Sequence, residues 1–192
     1  MQTGAGTLSW SHQAPTFGHE GLADAACFAP GTLIETDSGF TPIEDLGPGD
    51  LVATLCHGLQ PIRHAQCATL WMGHMAHHPH HRPIIVRAGA LGQDLPWRDL
   101  IVSPGHRLRL SGYQAQMFFG EDDVLVPAIA LTRLDGIEIA GQTRITYHQI
   151  AFDRAQLVRA EGNWCETLAE PEILAAQMMH QDRTGVTATL SA

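Results

Sequence analysis

An all-β fold is the class this sequence predicts, on three observations. Short β-patterned runs recur between residues 27 and 168, glycine and proline turns separate them, and charged residues make up only 16% of the chain. Many short strands spaced by turn signals form sandwich or barrel-like bodies. An average globular domain is about a quarter charged, so this composition favours a compact interior over disorder. The 192 residues suffice for one sizeable core with short extensions.

Residues 1–26 are rich in Gly, Ser, Thr and His, carry only Glu20 and Asp24 as charges, and show neither strand nor helix period. They read as a flexible leader. The texture changes at Cys27. TLIET (32–36), the turn residues Asp37-Ser38-Gly39 and FTPIEDL (40–46) read as a hairpin. Gly47-Pro48-Gly49-Asp50 puts proline and glycine where a type II turn needs them, and DLVAT (50–54) resumes a strand. Further strands are expected at PIIVRA (83–88), DLIVS (99–103), HRLRL (106–110), VLVPAIAL (124–131), GIEIA (136–140), RITYHQIAF (144–152) and AQLVRAEG (155–162). Pro171 suits a first helical position, and Ile173, Leu174 and Met178 share roughly one face, so a short C-terminal helix is expected before a frayed TGVTATLSA end. The organisation is a leader over 1–26, a domain over 27–168, and a helix and tail over 169–192.

All eleven basic residues are arginine, and twenty acidic residues leave a formal charge of −9. A nucleic-acid binder displays a basic face, so no nucleic-acid partner is expected. The N-terminus lacks the basic and apolar regions of a secretory signal, and no apolar run reaches the ~18 residues of a membrane span. A soluble, cytoplasmic protein is expected, with later export left open. Cys27, Cys56, Cys67 and Cys165 include no C-x-x-C pair, so neither a zinc ribbon nor a thioredoxin-type motif is read. No cofactor or metal is assigned.

Two segments carry candidate chemistry. AACFAPGT (25–32) sets a cysteine after two small residues and before a turn. DLIVSPGHRL (99–108) ends one strand and begins another through Ser103-Pro104-Gly105-His106. A Ser-x-x-His turn can hold a hydroxyl and an imidazole on one side, where they polarise a carbonyl or amide; alone, it equally fits a turn serine and a partly exposed histidine.

Taken in order, CFAPGTLIET, GFTPIEDLGPGDLV, IVSPGHRL and FDRAQLVRAEGNWCETL resemble the Hint superfamily of hedgehog autoprocessing domains and inteins, and within it a bacterial Hint branch. Cys27 matches the family's initial nucleophile, Gly31-Thr32 and Pro48-Gly49-Asp50 its first motif, and Ser103 and His106 its Thr-x-x-His, with serine keeping the hydroxyl. The likeness spans Cys27 to about Leu168.

The resemblance implies a disc- or horseshoe-shaped, all-β Hint fold with an internal pseudo-two-fold. It also implies an N-to-S acyl shift in which Cys27 attacks the carbonyl of Ala26, its substrate being its own N-terminal segment and the acyl acceptor water or a small nucleophile. His106 is expected to protonate the departing nitrogen and Ser103 to hold the scissile carbonyl. His148 is a candidate proton acceptor for the thiol, or equally a histidine satisfied on its strand; Asp153 and Arg154 read as ion-pair residues.

Two departures from the family stand out. Glu166-Thr167 replaces the terminal His-Asn of inteins, so cleavage without full splicing is expected, and Ala155 stands where the bacterial branch carries histidine after FDR. The resemblance brings the last strand back to the first residue, which implies that Cys165 could lie near Cys27 and form a disulfide; the other reading of Cys165 is a small buried hydrophobe. The tract His74, His77, His78, His80 and His81 could ligate a metal or be a solvated loop. The rival functions are a catalytically inactive Hint-fold interaction or attachment module, and a metal-binding surface protein.

Overall fold

The computed structural model describes residues 25–71, 82–142 and 144–170. The expected leader up to Asp24, the His74–His81 tract and the expected helix from Pro171 lie outside the described residues. Within them the strands are β1 (Leu33–Thr36), β2 (Gly39–Pro42), β3 (Leu51–Thr54), β4 (Gly58–Pro61), β5 (His64–Trp71), β6 (Ile84–Val86), β7 (Leu100–Val102), β8 (Arg107–Ser111), β9 (Asp123–Pro127), β10 (Ile137–Ile139), β11 (Arg144–Phe152), β12 (Leu157–Ala160), β13 (Asn163–Glu166) and β14 (Leu168–Ala169). One short helix, α1 (Tyr113–Phe119), lies between β8 and β9.

The largest sheet runs β2-β1-β3-β12-β13-β8-β9, with β4 paired to β3. Two three-stranded sheets, β10-β6-β7 and β14-β11-β5, complete the body, and the sheets of the described residues stay open rather than closing into a barrel. Fold class is therefore mostly β, as the run-and-turn pattern predicts. Among the described residues, no helix is long and apolar enough to cross a membrane.

The first hairpin forms as expected, with Glu35 opposite Phe40 and Thr36 opposite Gly39, where φ is 114°. Glycine alone tolerates that region readily. The Gly47–Asp50 turn also closes as expected: Asp50 N–H donates to Gly47 O at 3.2 Å, and Gly49 has φ 99°.

Two expected strands end sooner than their apolar runs. FTPIEDL stops at Pro42 and becomes a 3-10 turn over Ile43–Asp45; VLVPAIAL stops at Pro127 and becomes one over Ala128–Arg133. Proline has no N–H to carry a ladder onward. The two sites share nearly one backbone geometry: Pro42 at φ −57°, ψ 139° and Pro127 at φ −57°, ψ 136°, each turn closing on a leucine in extended conformation, Leu46 and Leu134. The same strand–proline–turn device thus occurs twice in the chain.

Apolar packing is divided. The main cluster includes Ile34, Val52, Ile84, Leu100, Leu108, Ile150 and Val158; a smaller one gathers Cys27, Ala29, Ala68, Leu70, Ile145 and Tyr147. One charge is pulled inside: Glu161, in the β12–β13 turn at φ 46°, is 2% exposed and is gripped by Arg98 through Nη2–Oε1 at 2.7 Å and Nε–Oε2 at 3.0 Å. Glu161 Oε1 accepts Leu33 N–H at 2.8 Å, and Arg98 Nη2 donates to Gly31 O at 2.9 Å. The pair therefore pins the turn that follows Cys27 to the large sheet.

Candidate active site

The Cys27 segment is a single extended pass laid between β7 and β11. Phe28 N–H donates to His148 O at 2.9 Å and His148 N–H returns to Phe28 O at 2.8 Å; on the other side Ala29 N–H donates to Ile101 O at 2.9 Å and Ser103 N–H to Cys27 O at 3.1 Å. Both edges being paired, the backbone of residues 27–29 has little freedom left. Phe28 is fully buried and stacks edge-on against His106 with ring centroids 4.4 Å apart. Directly after it, Thr32 hydroxyl donates to Ala29 O at 2.8 Å across Pro30-Gly31, with Gly31 at φ 79° as a type II turn requires. APGT is thus the turn that sends the chain from the site into β1.

Ser103, His106 and Cys27 come together, all with no exposed surface. Ser103 Oγ accepts the Cys27 N–H at 3.2 Å and donates to Ala25 O. The same hydroxyl favours the ionised Cys27 thiol against its burial. One hydroxyl therefore bonds the amide nitrogen of Cys27 and acts on its sulfur. Its hydrogen-bond partners are that nitrogen and the Ala25 carbonyl, whereas the sequence suggested that its hydroxyl or a neighbouring backbone N–H holds the Ala26 carbonyl.

His106 Nδ1 lies 2.9 Å from Cys27 O. A carbonyl only accepts, so Nδ1 is assigned the hydrogen and Nε2 the lone pair. Here too the partner is the Cys27 carbonyl, where protonation of its nitrogen was expected. Burial pushes His106 down to about 4, against opposing pulls from the Cys27 and Glu166 backbone. The Glu166 backbone favours the charged ring, and among the described residues Nε2 has no hydrogen-bond partner. The imidazole is consequently neutral at pH 7.

Burial likewise pushes the Cys27 thiol up to about 12, with the Gln149 and Ser103 hydrogen bonds acting in the opposite direction. Gln149 Nε2 lies 3.1 Å from Cys27 Sγ. Sequence reasoning had singled out its neighbour His148. Side chains alternate across a strand, so Tyr147 and Gln149 share the face of β11 that meets Cys27, while His148 points to the other face and serves the site through its backbone pairing with Phe28. The period-2 signal was present in TYHQIAF; which of the two sets faced the cysteine was not. Tyr147 is fully buried, and its hydroxyl has no partner among the described residues.

A cleft of about 550 Å³ opens beside the Ala26–Cys27 bond, lined by Ala26, Pro104, Gly105, Ala155, Glu166 and Thr167 among others. Both departures from the family pattern, Ala155 and Glu166-Thr167, thus face the same opening. Arg107 lies 3.8 Å from Glu166, and Thr167 is tied to the Gln156 backbone through its hydroxyl at 3.1 Å. Asp153 forms a two-pronged ion pair with Arg63, both contacts at 2.9 Å, as an ion-pair reading of FDR expects.

Cys165 stands on β13 opposite Val158 and in register with Leu108, inside the main cluster rather than that of Cys27. All four cysteines are free thiols, so no Cys27–Cys165 disulfide forms and the buried-hydrophobe reading of Cys165 holds.

A buried cysteine that heads a β scaffold, with its own nitrogen and carbonyl gripped by a Ser-x-x-His turn, defines a domain organised around one of its own peptide bonds. The Hint domain family matches residues 26–172, and the chain belongs to that family. Solved structures similar to it include a bacterial intein-like domain from Clostridium thermocellum, at 15% identity and a TM-score of 0.47, covering 72% of this chain and 96% of that one. The gp41-1 intein follows at 12% identity, TM-score 0.43, covering 75% and 98%. A splice-inactive, GSH-linked variant of the AceL NrdHF class 3 split intein shows 17% identity, TM-score 0.43 and coverage of 75% and 98%. Comparison with curated proteins gives no match.

Proposed function

We propose that this Hint domain cleaves its own Ala26–Cys27 bond in a single turnover, without splicing. The observation that carries the reading is the hydrogen bond from the Cys27 nitrogen to Ser103 Oγ inside a fully buried site that also holds the Cys27 thiol.

In the first step Cys27 Sγ attacks the Ala26 carbonyl carbon. The Ser103 hydrogen turns from the Ala25 carbonyl to the Cys27 nitrogen and passes to it as the thiol proton passes to Ser103 Oγ, so the C–N bond breaks as the C–S bond forms and a neutral amine leaves. The product is a thioester between Ala26 and Cys27. Concerted exchange through one hydroxyl suits a site where a free thiolate is costly, as burial makes it here. In this mechanism Ser103 takes the protonating role expected of the imidazole, and His106 is a positioning residue: its Nδ1–H holds the Cys27 carbonyl and so fixes the plane of the peptide on the other side of the nucleophile. His148 aligns the segment through its backbone pairing with Phe28.

Water or a small thiol or amine entering the cleft then attacks the thioester, releasing the segment ending at Ala26 and restoring the Cys27 thiol. Glu166-Thr167 offers no asparagine side chain to cyclise, which supports cleavage as the end of the reaction.

The test is intact mass after incubation with dithiothreitol. Loss of residues 1–26 from wild type but not from Cys27→Ala is the expected result. Retention of the segment in both proteins overturns the reading in favour of an inactive attachment or interaction module.

A further inference from the structure

Strands β5 and β11 pair with Gln66 directly opposite Gln149, on the face that meets Cys27. Three side chains there form one line. Gln149 Nε2 donates to Cys27 Sγ at 3.1 Å, Gln66 Nε2 donates to Gln149 Oε1 at 2.6 Å, and His64 Nε2 lies 3.2 Å from Gln66 Oε1. His64 and Gln66 share their face because they stand two apart on β5.

An amide has a donor end and an acceptor end, so fixing one fixes the other. Once Gln66 N–H occupies Gln149 Oε1, only the Gln149 N–H groups remain to face the sulfur. Gln66 Oε1 is an acceptor, so its contact with His64 Nε2 needs the hydrogen on the imidazole. Every bond in the line therefore points its positive end at Cys27, and hydrogen bonds aligned in this way polarise one another.

We infer that Gln66 and Gln149 form an oriented amide chain that stabilises negative charge on Cys27 Sγ as its proton departs, with Gln149 touching the reacting atom and Gln66 acting as a positioning residue behind it. The inference rests on Cys27 being the nucleophile proposed above. The amides transfer no proton; the thiol proton still leaves through Ser103. Cys27 packs in a cluster with Ala29, Ala68, Leu70 and Ile145, with Tyr147, so a neutral donor is a way to favour developing charge there without burying a cation. Hydrogen bonds to ionised groups are about twice as strong as neutral ones, so the chain acts more on the transition state than on the resting thiol.

The experiment uses the full chain and two readouts. The infrared S–H band of Cys27 is isolated by subtracting the Cys27→Ala spectrum, and cleavage with dithiothreitol is timed by intact mass. In wild type Gln149 presents an N–H to the sulfur, so the band is expected above the position of a thiol that donates to an amide oxygen. Gln149→Leu is expected to shift the band and slow cleavage roughly tenfold to a hundredfold; Gln66→Leu, which does not touch the thiol, shifts it in the same direction and slows cleavage several-fold. In Gln66→Glu the carboxylate can only accept, so it draws Gln149 Nε2 away and turns Oε1 to the sulfur. That reversal lowers the S–H frequency and slows cleavage more than Gln66→Leu.

A wild-type band at the low-frequency position of a thiol donating to Gln149, or a band and rate unmoved by both Gln66 variants in folded protein, overturns the chain. If the band responds as expected while wild type never cleaves, the amide chain stands and the nucleophile reading has failed.

Discussion

His106 Nδ1 and the Cys27 carbonyl oxygen, 2.9 Å apart, are joined across 79 residues of sequence in a site with no solvent-exposed surface on either residue. That contact decides the tautomer of the imidazole, committing Nδ1–H to the carbonyl, while burial keeps the ring neutral.

A pH dependence follows. The ring titrates near 6.5 in the unfolded chain and near 4 in the fold, so the unfolded state binds more protons between those values. The stability from burying the ring neutral is complete above about pH 6.5, is lost as pH falls toward 4, and amounts to about 3 kcal/mol. Aspartates held low by arginines, such as Asp99 and Asp123, weaken in acid as well. The readout is therefore a difference: the unfolding free energies of wild type and His106→Gln from urea titrations should converge by roughly 2.5 kcal/mol between pH 7.5 and pH 4.5.

Removal of the Ser103 hydroxyl should separate stability from chemistry. Ser103→Ala strips the buried Cys27 N–H of its acceptor, a cost of about 1–3 kcal/mol, and takes away the proposed proton path, slowing cleavage by roughly a hundredfold or more. Ser103→Thr keeps the hydroxyl and adds one methyl to a filled site, so it should cleave at a rate near wild type with stability lower by about 1 kcal/mol. Time courses by intact mass and thermal melts of the three proteins check both halves.

Ala155 lines the cleft beside Ala26, where the open space accommodates a larger side chain. If the missing imidazole of the bacterial branch assists attack on the thioester, Ala155→His should speed release of the segment at pH 7.5, by roughly tenfold to a hundredfold. Because the site is at the cleft rather than in the core, the melting temperature should change little. An unchanged rate in a folded variant would assign the slow step to thioester formation instead.

Arg98→Gln should be among the most damaging single changes outside the site. It leaves the Glu161 carboxylate buried without its cation, at a cost of about 3 kcal/mol. Adding Glu161→Gln should recover much of the loss, since a neutral amide at that position no longer needs a charge partner. Chemical denaturation of the two single variants and the double variant measures the coupling.

Much of this protein was legible before any fold was known. The β class follows from run length and turn residues. Gly31, Gly39 and Gly49 fall where positive φ is needed, and the ordered set of Cys27, the Pro48–Asp50 turn and the Ser103–His106 turn marks the site residues that do converge. Other elements were silent in the sequence. The β5 run HAQCATLW mixes polar and small residues and lacks a strand's apolar alternation, although it pairs with β11 along eight residues. The helix α1 is one short turn-bounded element between Gly112 and Gly120, too brief for a period to show.

By itself, then, the sequence determined the strand-and-turn grammar, the cysteine at the head of the domain and the histidine turn that meets it, because each is encoded by local patterns of a few residues. Only the tertiary structure decided which atoms those residues touch: Gln149 rather than His148 on the sulfur, the Ser103 hydroxyl on the nitrogen, the His106 ring on the carbonyl, and Cys165 in a different cluster. These choices depend on strand register, and a shift of one residue in pairing turns every side chain of β11 to the opposite face. That register is set by pairing with β5 and with the Phe28 segment, roughly 70 to 120 residues away in sequence, so no window of the chain contains it.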